Sequence, residues 1–206
     1  MRFKTGSFLL AISLAFAGPV FADHHLEDPS LRISETASRI LANLNEHHAE
    51  YKKDPSLLSA VVRNDLLPLL DLQYSARLIL GRTGRDATPE QVELFAQTMG
   101  DLLADRYSIG LLQFRSEEQL KFLPTKGKLN ERMTRVRSRV LLNSGGTAPV
   151  DYVCRMTAEG WKIFDIIVEG ISYITTYRSQ IMPEVQAVGL DAVITRINRG
   201  ELEFEN

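Results

Sequence analysis

The sequence predicts an α+β domain: one antiparallel sheet of four strands with helices packed on one face. Three observations predict it. Apolar residues recur at helical spacing through the first half of the chain, four runs with a two-residue period follow, and the helical period returns after Gly170. Helices, then a meander, then helices leaves a single sheet with one face to cover.

The chain begins with Arg2 and Lys4 ahead of FLLAISLAFAGPVFA, in which Val20 and Ala22 are small residues suited to a cleavage site. A basic segment, a short apolar run and such a site mark a secretory signal peptide. Residues 1–22 are therefore expected to be removed, leaving 23–206 as one exported domain. The apolar run is short for a transmembrane span, so a retained anchor is the lesser reading.

In RISETASRILANLNEHHAEY, residues Ile33, Ala37, Ile40, Leu41, Leu44 and His48 form one helical stripe. Asp54-Pro55 opens a second helix, which Pro68 interrupts or ends. DLQYSARLILG gives a third, closed by Gly81. The clearest start lies at Thr88, where Pro89 and Gln91 complete a capping box. From there Val92, Phe95, Met99, Leu102 and Leu103 share a face, and the pattern can run through Tyr107 to about Leu112.

EQLKFLPTK, TRVRSRVLLN, APVDYVCRM and WKIFDIIVEG read as the strands, with Asn143-Ser144-Gly145-Gly146 and Ala158-Glu159-Gly160 as short connections between antiparallel neighbours. Strict alternation in the last run puts Trp161, Ile163 and Ile167 on one face and Phe164, Ile166 and Val168 on the other. Both faces are then apolar, so protein or ligand must cover the second. ISYITTYRSQIMPEVQAVG and LDAVITRINRGELEF close the domain as two helices.

A net charge of −2 argues against nucleic acid as a partner. Cys154 is the only cysteine, so no internal disulfide can form; it reads as a small buried hydrophobe, the alternative being a reactive thiol. The adjacent pairs His24-His25 and His47-His48 suit metal ligation poorly, because neighbours on a helix point in different directions. LGRTGRD lacks the Lys-Ser/Thr ending of a phosphate loop, and no serine sits in a nucleophile elbow. Asp165 and Glu169 share a strand face; Asp165 is the candidate acid–base group if the domain is a cone-shaped isomerase or dehydratase, and otherwise a loop-bonding carboxylate.

From Lys121 to Arg139 seven basic residues are opposed only by Glu131. Arg135, Arg137 and Arg139 alternate with Val136, Ser138 and Val140, giving a solvated sheet face or a docking surface for an acidic partner or lipid headgroups. The large apolar inventory fits a packed core, and it also fits a one-layer cone with a hollow interior. Periodicity alone does not separate the two.

DLLPLLDLQYSARLILG, ATPEQVELFAQTMGDLLADRYSIGLL and WKIFDIIVEGISYITTYRSQI, in this order behind a signal peptide, resemble the MlaC family of periplasmic phospholipid-binding proteins, also called toluene-tolerance auxiliary proteins. The resemblance spans about Leu57 to Ile197. It rests on Pro68, Thr88-Pro89, Tyr107, Trp161, Asp165, Glu169-Gly170-Ile171-Ser172 and Gly189-Leu190-Asp191 taken together. It implies a carrier without catalytic residues or cofactor. The cargo would be a phospholipid passed between an outer-membrane lipoprotein–porin complex and an inner-membrane ABC transporter with a substrate-binding ring. The acyl tails would lie between sheet and helices, against Leu70, Tyr74, Leu78, Phe95, Met99, Leu102, Val136, Val140, Tyr152, Phe164, Ile166, Val168, Tyr173 and Tyr177.

Overall fold

The computed structural model describes residues 28–202 apart from Arg115 and Lys126, together with Phe204. The expected signal segment and His24-His25 lie outside the described residues. None of the described helices is long and apolar enough to cross a membrane.

Helix α1 (Pro29–Glu46) starts where the Asp28 carboxylate accepts the Ser30 N–H at 2.9 Å, with Pro29 in the first turn, where its missing N–H costs nothing. It is followed by α2 (His48–Lys53) and α3 (Ser56–Val61). The chain then widens into a π-type turn over Val62–Leu66 and tightens into a 3₁₀ turn over Leu67–Leu69. Pro68 lies in that turn, as its lack of an N–H requires.

Asp71 caps α4 (Leu72–Leu80) by accepting the Tyr74 N–H at 3.0 Å. The same carboxylate takes the Arg155 Nε at 2.6 Å, and the Arg155 guanidinium lies 4.2 Å from the centre of the Tyr74 ring. Gly81 ends the helix at a φ of 58°. LGRTGRD contains one short helical turn, α5 (Thr83–Asp86). The capping box at Thr88 and Gln91 is formed in both directions at the head of α6 (Pro89–Tyr107). The helix stops at Tyr107 instead of running on to Leu112, and a 3₁₀ turn covers Ile109–Gln113. Gly110, a poor helix former, sits in that turn.

The sheet has five strands in sequential antiparallel order: β1 (Leu120–Leu123), β2 (Thr134–Leu141), β3 (Thr147–Thr157), β4 (Gly160–Val168) and β5 (Ile171–Ser172). The fifth strand is a two-residue addition to the expected four. Glu169 and Gly170, at φ 52° and 87°, make the two-residue turn that folds Ile171 back onto Val168. Ser172 then ends β5 and caps α7 (Tyr173–Val188), and α8 (Leu190–Asn198) follows Gly189. Pro124 closes β1 after four residues, and Leu70 bridges to Ile163 along the edge of β4 that β5 does not reach.

Three apolar clusters hold the fold. One joins α4, α6, α7 and α8 around the fully buried Phe95, Leu80, Ile181 and Val193, with Phe204 packed in. One lies on the sheet around Val136, Cys154, Trp161 and Ile163, and one joins α1, α2 and α3 around Leu44 and Leu58. Burial pushes the Cys154 thiol up to about 12, so the thiolate is absent at neutral pH and the residue acts as a small hydrophobe.

Candidate functional site

Cross-strand partners define the inner face of the sheet. Val136 lies opposite Tyr152, Ser138 opposite Val150, and Val140 opposite Ala148. Such pairs point to the same side. Arg135, Arg137 and Arg139 therefore share the other side, with Lys121 opposite Arg139 on β1. Arg135 pairs with Asp151 at 3.3 Å, and Arg137 donates to the Pro124 carbonyl at 3.3 Å.

On β4 the register slips. Val153 pairs with Asp165 and Cys154 with Ile163, so Phe164 has no partner. This is a β-bulge, one extra residue on one strand. It corrects the alternation expected from the sequence. Trp161, Ile163, Ile166 and Val168 all lie opposite inner-face residues of β3, whereas Ile167 lies opposite Asp151. The run looked apolar on both faces because the two halves of the strand are out of phase.

The head of α4 makes the bulge tolerable. The Asp71 N–H donates to the Ile163 carbonyl at 2.7 Å, and the Ser75 hydroxyl lies 2.7 Å from the Phe164 carbonyl oxygen. Carbonyls that leave the ladder are thus satisfied from the neighbouring helix.

Between the inner face and the helices lies a cavity of about 370 Å³. Helix α1 supplies Ile33, Ala37, Ile40, Leu41 and Leu44; the segment after α3 supplies Val62, Leu66, Leu67, Leu69 and Leu70. Leu103 and Tyr107 of α6, with Leu111 and Phe114 beyond it, form another wall. Leu120, Val140, Val150, Tyr152, Ile163 and Ile166 of the sheet, and Tyr173 of α7, complete it. The only polar side-chain atoms among these lining residues are three tyrosine hydroxyls. The volume lies within the ~300–1,000 Å³ usual for ligand sites. A hollow of about 60 Å³ adjoins it under α4, α6 and α7.

The structure brings together part of the wall expected from the sequence. Leu70, Val140, Tyr152, Ile166 and Tyr173 line the large cavity. Met99, Phe164 and Tyr177 line the small hollow, together with Leu70, Ile166 and Tyr173. The remaining six line neither. Phe95 is fully buried among the helices, and Leu102 packs against that same cluster. Val136 is sealed within the sheet cluster. Tyr74 lies under Arg155 and edge-on to Phe164. The Leu78 carbonyl accepts Arg178, and Val168 is the last residue of β4, half-buried. The wall missing from the expectation is mostly α1. Its stripe was visible in the sequence, but nothing there said that the stripe faces a hollow.

Asp165 serves α7. Its carboxylate accepts the Ser172 hydroxyl at 2.6 Å and the Ile174 N–H at 3.1 Å, while the Ser172 hydroxyl accepts the Thr175 N–H at 3.2 Å. Two side chains thus satisfy two of the N–H groups that the first turn of α7 leaves open. Glu169, which alternation places on the strand face of Asp165, instead forms the turn and donates its N–H to the Pro149 carbonyl at 3.0 Å.

One antiparallel sheet, closed on its inner face by helices that stop short of filling the space between, defines an α+β protein with an interior site for apolar groups. A family model described as the MlaC protein matches residues 34–199, and the chain belongs to the MlaC family. The intermembrane phospholipid transport system binding protein MlaC of Haemophilus influenzae is 23% identical over 175 residues, covering 83% of this chain and 81% of that protein. The toluene tolerance protein ttg2D of Pseudomonas putida is 26% identical over 160 residues, covering 77% and 74%. The phospholipid-binding protein of Ralstonia solanacearum, solved in complex with a phospholipid, has the same fold: its TM-score is 0.74 at 21% identity, over 84% of this chain and 96% of that one.

Proposed function

We propose that this protein is a periplasmic phospholipid carrier, holding acyl tails in the cavity while it moves lipid between an outer-membrane lipoprotein–porin complex and an inner-membrane ABC transporter with its substrate-binding ring. In this reading residues 1–22 are the export signal, phospholipid is cargo, no cofactor takes part, and outer-membrane lipid asymmetry is what the transport maintains. The observation that carries it is the apolar cavity of about 370 Å³ inside a chain of this family. The names of its relatives support it.

The energetics suit a shuttle. Two acyl chains of about 16 carbons, at ~0.8 kcal/mol per CH₂, are held out of water by about 25 kcal/mol. Bare transfer through water is therefore too slow to be useful. A bilayer and an apolar cavity offer the tails similar surroundings, so net transfer is near neutral and a partner can set its direction. Native purification followed by lipid extraction and mass spectrometry tests the reading. Phospholipid in stoichiometric amount is expected, and its absence would leave an adaptor with an unfilled interior.

The competing reading is a cone-shaped isomerase or dehydratase acting through Asp165. The position of that carboxylate favours the carrier, because both of its oxygens hold the start of α7. Asp165→Asn is expected to retain bound phospholipid and to lose about 1 kcal/mol of stability, since an amide oxygen replaces only part of this bonding. Turnover of a small molecule by the wild type that this variant lacks, with no lipid on either, would establish the enzyme instead.

We further propose that the face carrying Arg135, Arg137 and Arg139 docks on an acidic surface of a membrane-complex partner. Reversing all three to Glu is expected to weaken partner binding at low salt and to leave lipid occupancy unchanged, as charge steering requires. Equal affinity of variant and wild type in a low-salt binding titration would reduce this face to ordinary solvated surface.

A further inference from the structure

The walls of the large cavity are hydrocarbon except at tyrosines, and two of these, Tyr107 and Tyr173, belong to one cluster. Tyr107 ends α6, just before the exposed Ile109-Gly110 turn. Tyr173 begins α7, just after the exposed Glu169-Gly170-Ile171 turn. Their rings stack with centroids 5.7 Å apart, and the Tyr107 hydroxyl lies 3.1 Å from that of Tyr177. Polar groups thus enter the apolar wall where two helix ends come to the surface.

Counting protons gives the cluster a direction. One contact between two hydroxyls uses one of their two protons. Tyr177 is 4% exposed, and among the described residues its hydroxyl has no other hydrogen-bond partner. Were Tyr107 the donor, the Tyr177 proton would be buried and unpaired, which is costly. Tyr177 therefore donates and the Tyr107 oxygen accepts; the Tyr173 hydroxyl also bonds to that of Tyr107 and is raised by it, as a donor is, so the Tyr107 proton is left for something in the cavity. An O–H whose oxygen already accepts a hydrogen bond is a stronger donor. Burial raises both Tyr173, to about 12, and Tyr177, so these hydroxyls stay protonated throughout the physiological range.

The donor is a phenol, and the nearby cation binds a backbone carbonyl. The Arg106 guanidinium lies 5.9 Å from the centre of the Tyr107 ring, and its Nη2 donates to the Phe204 carbonyl at 2.5 Å. A neutral donor at the edge of a hydrocarbon wall suits a neutral acceptor attached to hydrocarbon. In a glycerophospholipid the first such atoms above the tails are the ester carbonyls.

We infer that Tyr107, oriented by Tyr177, donates a hydrogen bond to an acyl-ester carbonyl of the bound lipid and so sets how deep the tails sit. This rests on the carrier reading. It predicts a preference that apolar contact alone cannot produce: diester lipids should load better than diether lipids of the same headgroup and chain length, because the ether lacks the carbonyl. In exchange with vesicles holding equal amounts of diester and diether phosphatidylglycerol, the wild type is expected to recover diester over diether by about three- to tenfold. Tyr107→Phe is expected to bring the ratio close to unity while total loading persists. Equal loading of the two lipids by the wild type, with or without a folded variant, would overturn the subsite and leave the carrier intact. A diester preference undiminished in a folded Tyr107→Phe would also overturn it. Failure to load either lipid would overturn the carrier reading and the subsite together.

Discussion

Ile166→Asp is expected to empty the cavity while the protein stays folded. Ile166 lines both hollows and lies opposite Tyr152 on the inner face. In the proposed carrier a carboxylate there faces the lipid tails, and desolvating it without a partner costs several kcal/mol. A loss of lipid affinity of at least about 100-fold should follow. The unloaded cavity can admit water to the new charge, so the fold should lose no more than about 1–2 kcal/mol. Lipid recovered after exchange with vesicles measures the first effect, and the urea midpoint measures the second. Unfolding in step with the loss of lipid would mean that this wall is packed core.

Phe95→Ala should behave in the opposite way. Phe95 is fully buried among α4, α6, α7 and α8 and touches neither hollow. Its removal is expected to cost about 3–5 kcal/mol in urea unfolding and, in whatever fraction stays native, to leave lipid binding unchanged. A loss below about 1 kcal/mol would show that the helical cluster is loosely packed at its centre. The pair of variants separates residues that hold the protein together from residues that hold its contents.

The contrast marks where sequence reasoning stopped. Thr88, Pro89 and Gln91 announced α6 because a cap is local chemistry, and the structure forms the box as expected. The strands were legible from period and turns, except for β5, which is two residues long and lies within a run that read as helix. The bulge was not read, although it left a trace. Strict alternation would have placed Asp165 beside Trp161 and Ile163, and a carboxylate on an apolar face is a reason to expect a change of register. Leu102 and Leu103 show the resolution limit on a helix. They are one step apart and both pack against the helical cluster, yet Leu103 also lines the cavity and Leu102 does not. Whether apolar side chains meet or stop short of one another is not encoded in their spacing, because the same residues serve a filled and an open interior.

The way the sheet ends bears on how other molecules can grip this protein. At one margin β1 is four residues long, carries Lys121 and is cut off by Pro124; at the other, β5 is only two residues long and Leu70 occupies part of the β4 edge. Few unpaired backbone N–H and C=O groups are left in a row on which a foreign strand could zip up. Copies crowded together are thereby discouraged from joining sheet to sheet. Recognition is left to side chains, whose contacts can be made and released quickly, as the proposed carrier role requires.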